Sequence, residues 1–157
     1  IEAMSKLQDI DLHLILIGTG HDDYVAALKQ HIAGCGLTDR VSFAGFRNPV
    51  LPCLGSCDFG LLPSIVREGY PLSPMEYMSQ GRCVIATDNG GQKEYLTSGD
   101  NALLVKPGDA DMLADAIRRL ATDKALRDKL STKAYADFSQ KMSYNKFIER
   151  IEEAYEH

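Results

Sequence analysis

"DFGLLPSIVREGYPLSPMEYMSQGRCVIATDNGG", Asp58 to Gly91, sets an apolar run, a polar loop, a helical segment and a second apolar run in that order. "DFGLLPS" (58–64) and "CVIAT" (83–87) are strand-sized and apolar without alternation, the pattern of strands buried on both faces. Between them, Ser73-Pro74-Met75-Glu76 fits a capping box: Ser73 as N-cap, Pro74 at the first helical position, Glu76 three residues after the cap. On that reading the Glu76 carboxylate returns to the backbone of Ser73. Glu68, with seven residues between it and Glu76 and Gly69 beside it, has no such local task.

The same alternation continues in both directions. Upstream, "LHLILIG" (12–18) is an apolar β run, and "DDYVAALKQHIAGCG" (22–36) has helical spacing in Val25, Leu28 and Ile32. Asp22 is its expected N-cap and Gly34 or Gly36 its stop. "RVSFAG" (40–45) is a short strand, and "NPVLPCLGSC" (48–57) predicts a short helix from Asn48 with Pro49 at the first helical position. Downstream, "GGQKEYLTSG" (90–99) predicts a short helix and "NALLV" (101–105) a strand. Three helices close the chain over about 109–157. The first carries a stripe of Met112, Leu113, Ala116, Ile117 and Leu120, and the second runs from about Ala125 to Phe138. The last has Tyr144, Phe147, Ile148, Ile151 and Tyr155 on one face.

Strands apolar on both faces and separated by helices predict a single doubly wound α/β domain, a Rossmann-like parallel sheet covered on both sides. In such sheets ligands bind outside the carboxyl ends of the strands. The loops to inspect are therefore Gly18–Asp22, Gly45–Asn48, Pro63–Leu72 and Asp88–Gly91.

At 157 residues the chain is long enough for one domain with a sizeable core. A net charge of −5 argues against a nucleic-acid partner, which selects a basic face. No apolar run nears the ~20 residues that span a bilayer. Cys35, Cys53, Cys57 and Cys83 form no C-x-x-C and have no histidine at metal-ligand spacing, which reads as small buried residues in a reducing cytosol. The opening "IEAMSKLQDID" has the character of a helix tail, as in a piece of a longer chain.

The loops carry the chemistry. "GTG" at Gly18–Gly20 is half of a G-x-G-x-x-G fingerprint, with Asp23 where the third glycine belongs, and a tight turn explains it equally well. Around Glu68 the free amides of Gly69, Tyr70 and Leu72 suit a diphosphate, with Pro71 stiffening the loop, and a carboxylate has two oxygens to accept from a vicinal diol. A nucleotide sugar offers a diphosphate between two such diols. "DAD" (109–111) imitates a metal motif, but directly after "KPG" it is expected to cap the next helix. His13 is expected to point outward from its strand and His21 to be an exposed polar residue. The basic stretch with Arg118, Arg119, Lys124, Arg127, Lys129 and Lys133 is interspersed with acids and reads as a solvated face. Docking at an anionic lipid surface is its alternative use.

"FAGF", "CDFGLLPS", "REGYPLSPMEYMSQGRCVIATDNGGQKEYL" and "NALLVKPGDADMLADAIRRL" together resemble the C-terminal, donor-binding half of a retaining GT-B glycosyltransferase of family 4, also called group 1. The resemblance covers roughly residues 12–130. It implies that Glu68 accepts hydrogen bonds from the donor hexose and supports charge at its anomeric carbon, and that Glu76 accepts from the ribose. It further implies that the amides of Gly69, Tyr70 and Leu72, around Pro71, hold the diphosphate. Gly18 and Gly20 would line the cleft, with Phe46 and Arg47 near the base. Glu94 fits the family's "GG..E" pattern. No metal or cofactor is expected, the nucleotide-diphosphate sugar being the substrate. The family's phosphate-neutralising Arg and Lys, its first strand and its acceptor-binding N-terminal domain are expected to lie outside this chain, and the isolated domain is expected to be inactive. The full-length protein is expected to be cytoplasmic, with peripheral membrane association open to it. Tyr77 and Ser79 depart from the small apolar residues usual after the second glutamate, a change of packing rather than chemistry. A nucleotide-sugar epimerase or hydrolase on the same fold, and a non-catalytic nucleotide-binding or interaction module, stay open at this point.

Overall fold

The computed structural model describes residues 1–155. Helix α1 (Glu2–Ser5) leads into β1 (Leu14–Ile17), α2 (Asp22–Gly34), β2 (Val41–Gly45), α3 (Leu51–Gly55) and β3 (Gly60–Leu62). There follow α4 (Ser73–Ser79), β4 (Val84–Thr87), β5 (Ala102–Val105), α5 (Ala110–Thr122), α6 (Lys124–Asp137) and α7 (Tyr144–Tyr155). All strand pairs are parallel. They form two sheets, β1-β2 and β3-β4-β5, rather than one continuous sheet.

The second sheet is covered on both faces, as its composition requires. Every residue of β4 is buried. Its side chains alternate between two cores, because successive Cβ atoms point to opposite faces. Cys83 and Ile85, with Leu103 and Val105 of β5, meet Ile117, Leu120 and Leu130 of the C-terminal helices. Val84 and Ala86 face the other way, onto Met78 of α4, Tyr95, Leu96 and Ala134 of α6. The first sheet departs from the expectation. Leu14 and Leu16 pack with Ile32 of α2, Met4, Leu37 and Val41, but Ile15, which pairs with Ser42 on the opposite face, is exposed, and so is Phe43 on the α2 side beneath Lys29. Three carbonyls of the opening segment, Leu7 (3.1 Å), Ile10 (2.5 Å) and Leu12 (3.2 Å), accept from the Arg40 guanidinium, which ties that segment to the start of β2.

Several boundaries move for local reasons. Helix α2 starts at Asp22 with His21 as its N-cap, and Gly36 (φ +68°) ends it in the left-handed region that glycine tolerates. Helix α3 begins at Leu51, so Pro52, not Pro49, occupies the first turn where no N–H is needed. The segment 90–99 is a 3-10 turn over Gly91–Glu94, too rich in glycine and turn residues to sustain an α-helix. Asp109 caps α5 by accepting from the Met112 amide (2.8 Å), which is the task expected of the DAD motif. Between α6 and α7 the backbone widens into one π turn, Phe138–Met142. Helix α7 leaves Tyr144, Phe147, Ile151 and Tyr155 exposed. Within each sheet the strands share one direction, so their C-terminal loops leave from one edge: Gly18–His21 and Phe46–Asn48 in the first, Pro63–Leu72 and Asp88–Gly91 in the second.

Candidate functional site

The loop from Ser64 to Leu72 joins β3 to α4. Ile65 and Val66 are 73% and 72% exposed, so apolar packing does not hold this loop. Polar groups of the neighbouring β4 loop hold it instead. The Asn89 Nδ2 donates toward the carbonyls of Ser64 (3.1 Å), Ile65 (3.0 Å) and Val66 (3.2 Å). The Thr87 hydroxyl donates to the Ser64 carbonyl (2.8 Å). The Gly91 amide donates to the Glu68 carbonyl (3.0 Å). A Cβ on Gly91 would lie 2.7 Å from the Gly69 carbonyl carbon, and one on Gly90 would lie 2.6 Å from Gln92 Oε1 and 3.1 Å from the Glu68 nitrogen. Two glycines at this point let the two loops touch backbone to backbone.

This contact presents Glu68. Its carboxylate accepts a hydrogen bond from the Ser64 hydroxyl and is half-buried. The amides of Gly69, Tyr70 and Leu72 make no hydrogen bond among the described residues, and all three residues are exposed. Pro71 is buried and has no N–H; its carbonyl accepts from the buried Tyr95 hydroxyl (2.5 Å), which braces the loop from beneath. Tyr70 and Tyr95 lie 5.1 Å apart, ring to ring. Burial pushes the Tyr95 phenol well above its ordinary range, with Tyr70 and the Glu68 charge adding to it, so the hydroxyl stays a donor.

Glu76 does not close a capping box. Helix α4 starts at Ser73, one residue earlier than the motif requires, with Leu72 at the N-cap and no side-chain cap. The Glu76 amide already bonds the Leu72 carbonyl (3.0 Å), so its carboxylate sits past the position from which it would reach back. Its side chain accepts no hydrogen bond among the described residues and is half-buried one turn into the helix. Ser79 donates to the Glu76 carbonyl (2.6 Å), and burial raises the Tyr77 phenol to about 12, with Cys57 and Glu76 adding; both are packing roles.

In the first sheet, Gly18 and Gly20 are exposed, and the Gly18 amide bonds the Gly45 carbonyl (2.9 Å). Phe46 is 70% exposed beyond the end of β2, and Arg47 beside it donates only to the Phe46 carbonyl (3.3 Å) among the described residues. His13 is exposed and hydrogen-bonded to Ser42 (2.7 Å), and His21 is exposed. Glu94 is exposed on the 3-10 turn. No group of three metal-ligating side chains occurs among the described residues, and no helix there is long and apolar enough to cross a membrane. Of the basic stretch, Arg118 pairs with Asp9 (2.5 Å), Lys124 with Asp128 (2.5 Å) and Lys133 with Asp137 (2.8 Å), while Arg127 donates to the Leu120 carbonyl (2.5 Å). These charges are largely spoken for.

Sequence reasoning missed Ser64, Thr87, Asn89, Gln92 and Tyr95. The sequence "TDNGGQ" marked this stretch only as a polar, glycine-rich loop at a strand end.

The family described as "Glycosyl transferases group 1" matches residues 1–137. The lipopolysaccharide core biosynthesis glycosyltransferase LpsE of Rhizobium meliloti is 30% identical over 137 residues, covering 86% of this chain and 38% of that protein. HepE of Anabaena, solved with UDP, is 29% identical with a TM-score of 0.92 over 99% of this chain and 43% of that one. It has also been solved with UDP-glucose (TM-score 0.90). The C-terminal domain of a group 1 glycosyl transferase, LpcC, from Francisella tularensis is 28% identical with a TM-score of 0.81, covering 91% of this chain and 77% of that one. The chain thus spans about two-fifths of the full-length proteins it matches.

Proposed function

The chain belongs to the group 1 glycosyl transferases, and from that membership we propose that it is the donor-binding domain of an enzyme moving a hexose from a nucleotide-diphosphate sugar to an acceptor with retention. The observation that carries the reading is the Glu68 loop. It sets one oriented carboxylate beside three unused amides at the carboxyl edge of a parallel sheet. Those amides hold the diphosphate, Glu68 accepts from hexose hydroxyls, and Glu76, free of a capping task, accepts from the ribose. In the reaction, amides aimed at the leaving diphosphate stabilise the charge that develops on it. Glu68, set beside the sugar, supports the positive character at the anomeric carbon.

The exposed Phe46 ring, with Arg47, offers a face for the base. UDP and UDP-glucose in HepE make uracil the first base to try. The two parallel sheets, β1-β2 and β3-β4-β5, support the reading of a doubly wound half-fold. The first strand, the phosphate-neutralising Arg and Lys and the acceptor-binding domain belong to other parts of the full-length enzyme, which acts in the cytoplasm on a glycan or lipid-linked acceptor. The 157-residue domain alone transfers no sugar.

The test is an NMR titration of this domain with UDP-glucose, GDP-mannose, ADP-glucose and the bare diphosphates. Shifts are expected at Gly69, Tyr70, Leu72, Glu68 and Glu76. A folded domain whose amides respond to none of these compounds would overturn the reading in favour of a silent interaction module.

A further inference from the structure

We propose that Asn89 is a positioning residue for the Glu68 carboxylate, acting through the backbone of Ser64 to Val66; the role rests on the donor-binding reading above. Glu68 needs a fixed direction to distinguish a sugar hydroxyl from water, yet its loop has no apolar anchor between Ser64 and Glu68. Three carbonyls at 3.0–3.2 Å converge on one amide nitrogen with two protons, so two are satisfied directly and the third shares.

The amide cannot turn over. Its Oδ1 accepts from Gln92 Nε2 (3.1 Å), and Gln92, 1% exposed, is itself held by the Thr87 carbonyl (2.5 Å). A flipped Asn89 would set Oδ1 against three carbonyl oxygens. With Ser64 clamped, its hydroxyl is aimed at Glu68, and the Gly91 amide then holds the Glu68 carbonyl. Two independent attachments, one on each side of the exposed stretch, therefore come from the single segment Thr87–Gly91. The carboxylate that touches the donor is placed by a loop outside the Glu-x7-Glu motif.

The test uses the 157-residue chain with Asn89→Asp, which keeps the shape and removes both protons, alongside Ser64→Ala and Ser64→Thr. Calorimetry gives the affinities for UDP-glucose and for UDP, and hydrogen exchange follows the Gly91 amide, with Val84–Thr87 as the check on folding. Asn89→Asp is expected to speed Gly91 exchange at least about tenfold and to cut the preference for UDP-glucose over UDP about tenfold, leaving UDP affinity within about twofold. Ser64→Ala lowers the same preference without faster exchange, and Ser64→Thr restores it. A folded Asn89→Asp protein with wild-type Gly91 protection and wild-type preference would overturn the proposal, as would an unchanged preference in Ser64→Ala. If the wild-type chain binds neither compound, the donor-binding reading fails, and the Gly91 exchange arm alone decides whether Asn89 positions the loop.

Discussion

Asp137 closes the C-terminal helices onto the site, and replacing it by Asn is the sharpest test of that closure. It is 3% exposed at the end of α6. It accepts from Lys133 (2.8 Å), from Lys141 on the π turn (2.9 Å) and from Asn101 Nδ2 (3.0 Å). Asn101 Nδ2 also donates to the Tyr95 carbonyl (2.9 Å), and the Tyr95 hydroxyl reaches Pro71 in the donor loop. Burial alone would raise the Asp137 carboxyl; the hydrogen bonds from Lys133, Lys141 and Asn101 outweigh it and lower it from 3.8 to about 2. At ~1.4 kcal/mol per pKa unit, that depression contributes about 2 kcal/mol at neutral pH. The lysines are 41% and 57% exposed, so on losing their partner they return to water. The larger penalty of a stranded buried charge does not arise. Because the folded value lies below the unfolded one, the stabilisation is complete above about pH 4 and is lost as pH falls toward 2. Urea unfolding of wild type and Asp137→Asn should differ by about 2 kcal/mol at pH 7 and pH 5, and the gap should narrow between pH 4 and pH 2. An equal stability at pH 7, or a gap that does not change with pH, refutes the reasoning.

Glu68→Gln and Glu76→Gln separate the two sugars of one donor. Glu68→Gln should weaken UDP-glucose about tenfold and spare UDP, whereas Glu76→Gln should weaken both alike, since both carry the ribose; each loses a hydrogen bond to a charged group. Gly91→Ala drives a methyl into the Gly69 carbonyl, so the loops must part by well over an ångström, and UDP-glucose affinity should fall by up to about a hundredfold; unchanged calorimetric affinity would show that the contact does not matter. Ser73→Ala should change urea stability by less than about 0.5 kcal/mol, because Ser73 makes no capping bond; a loss near the ~1 kcal/mol typical of a cap would restore the capping box. Chelation with EDTA should leave UDP-glucose binding unaltered in the same calorimeter.

The strand–helix alternation, the doubly buried strands β4 and β5, the Asp109 cap and the Gly36 stop were legible because each depends on residues close in sequence. The Glu-x7-Glu spacing and the free amides after Glu68 were legible for the same reason: a glycine, a proline and a helix start lie within a few residues. What the sequence by itself could not carry is anything set by contact between loops. Nothing near Ser73 says that the helix begins one residue early and frees Glu76. Nothing in "TDNGG" says that its amide would clamp carbonyls some 23 residues away. The division into two sheets, the exposed face of β1-β2 and the aim of Glu68 were decided only in tertiary structure. Hydrophobic periodicity reports which face of an element is buried, whereas a polar clamp depends on where two backbones meet, and no local pattern encodes that meeting.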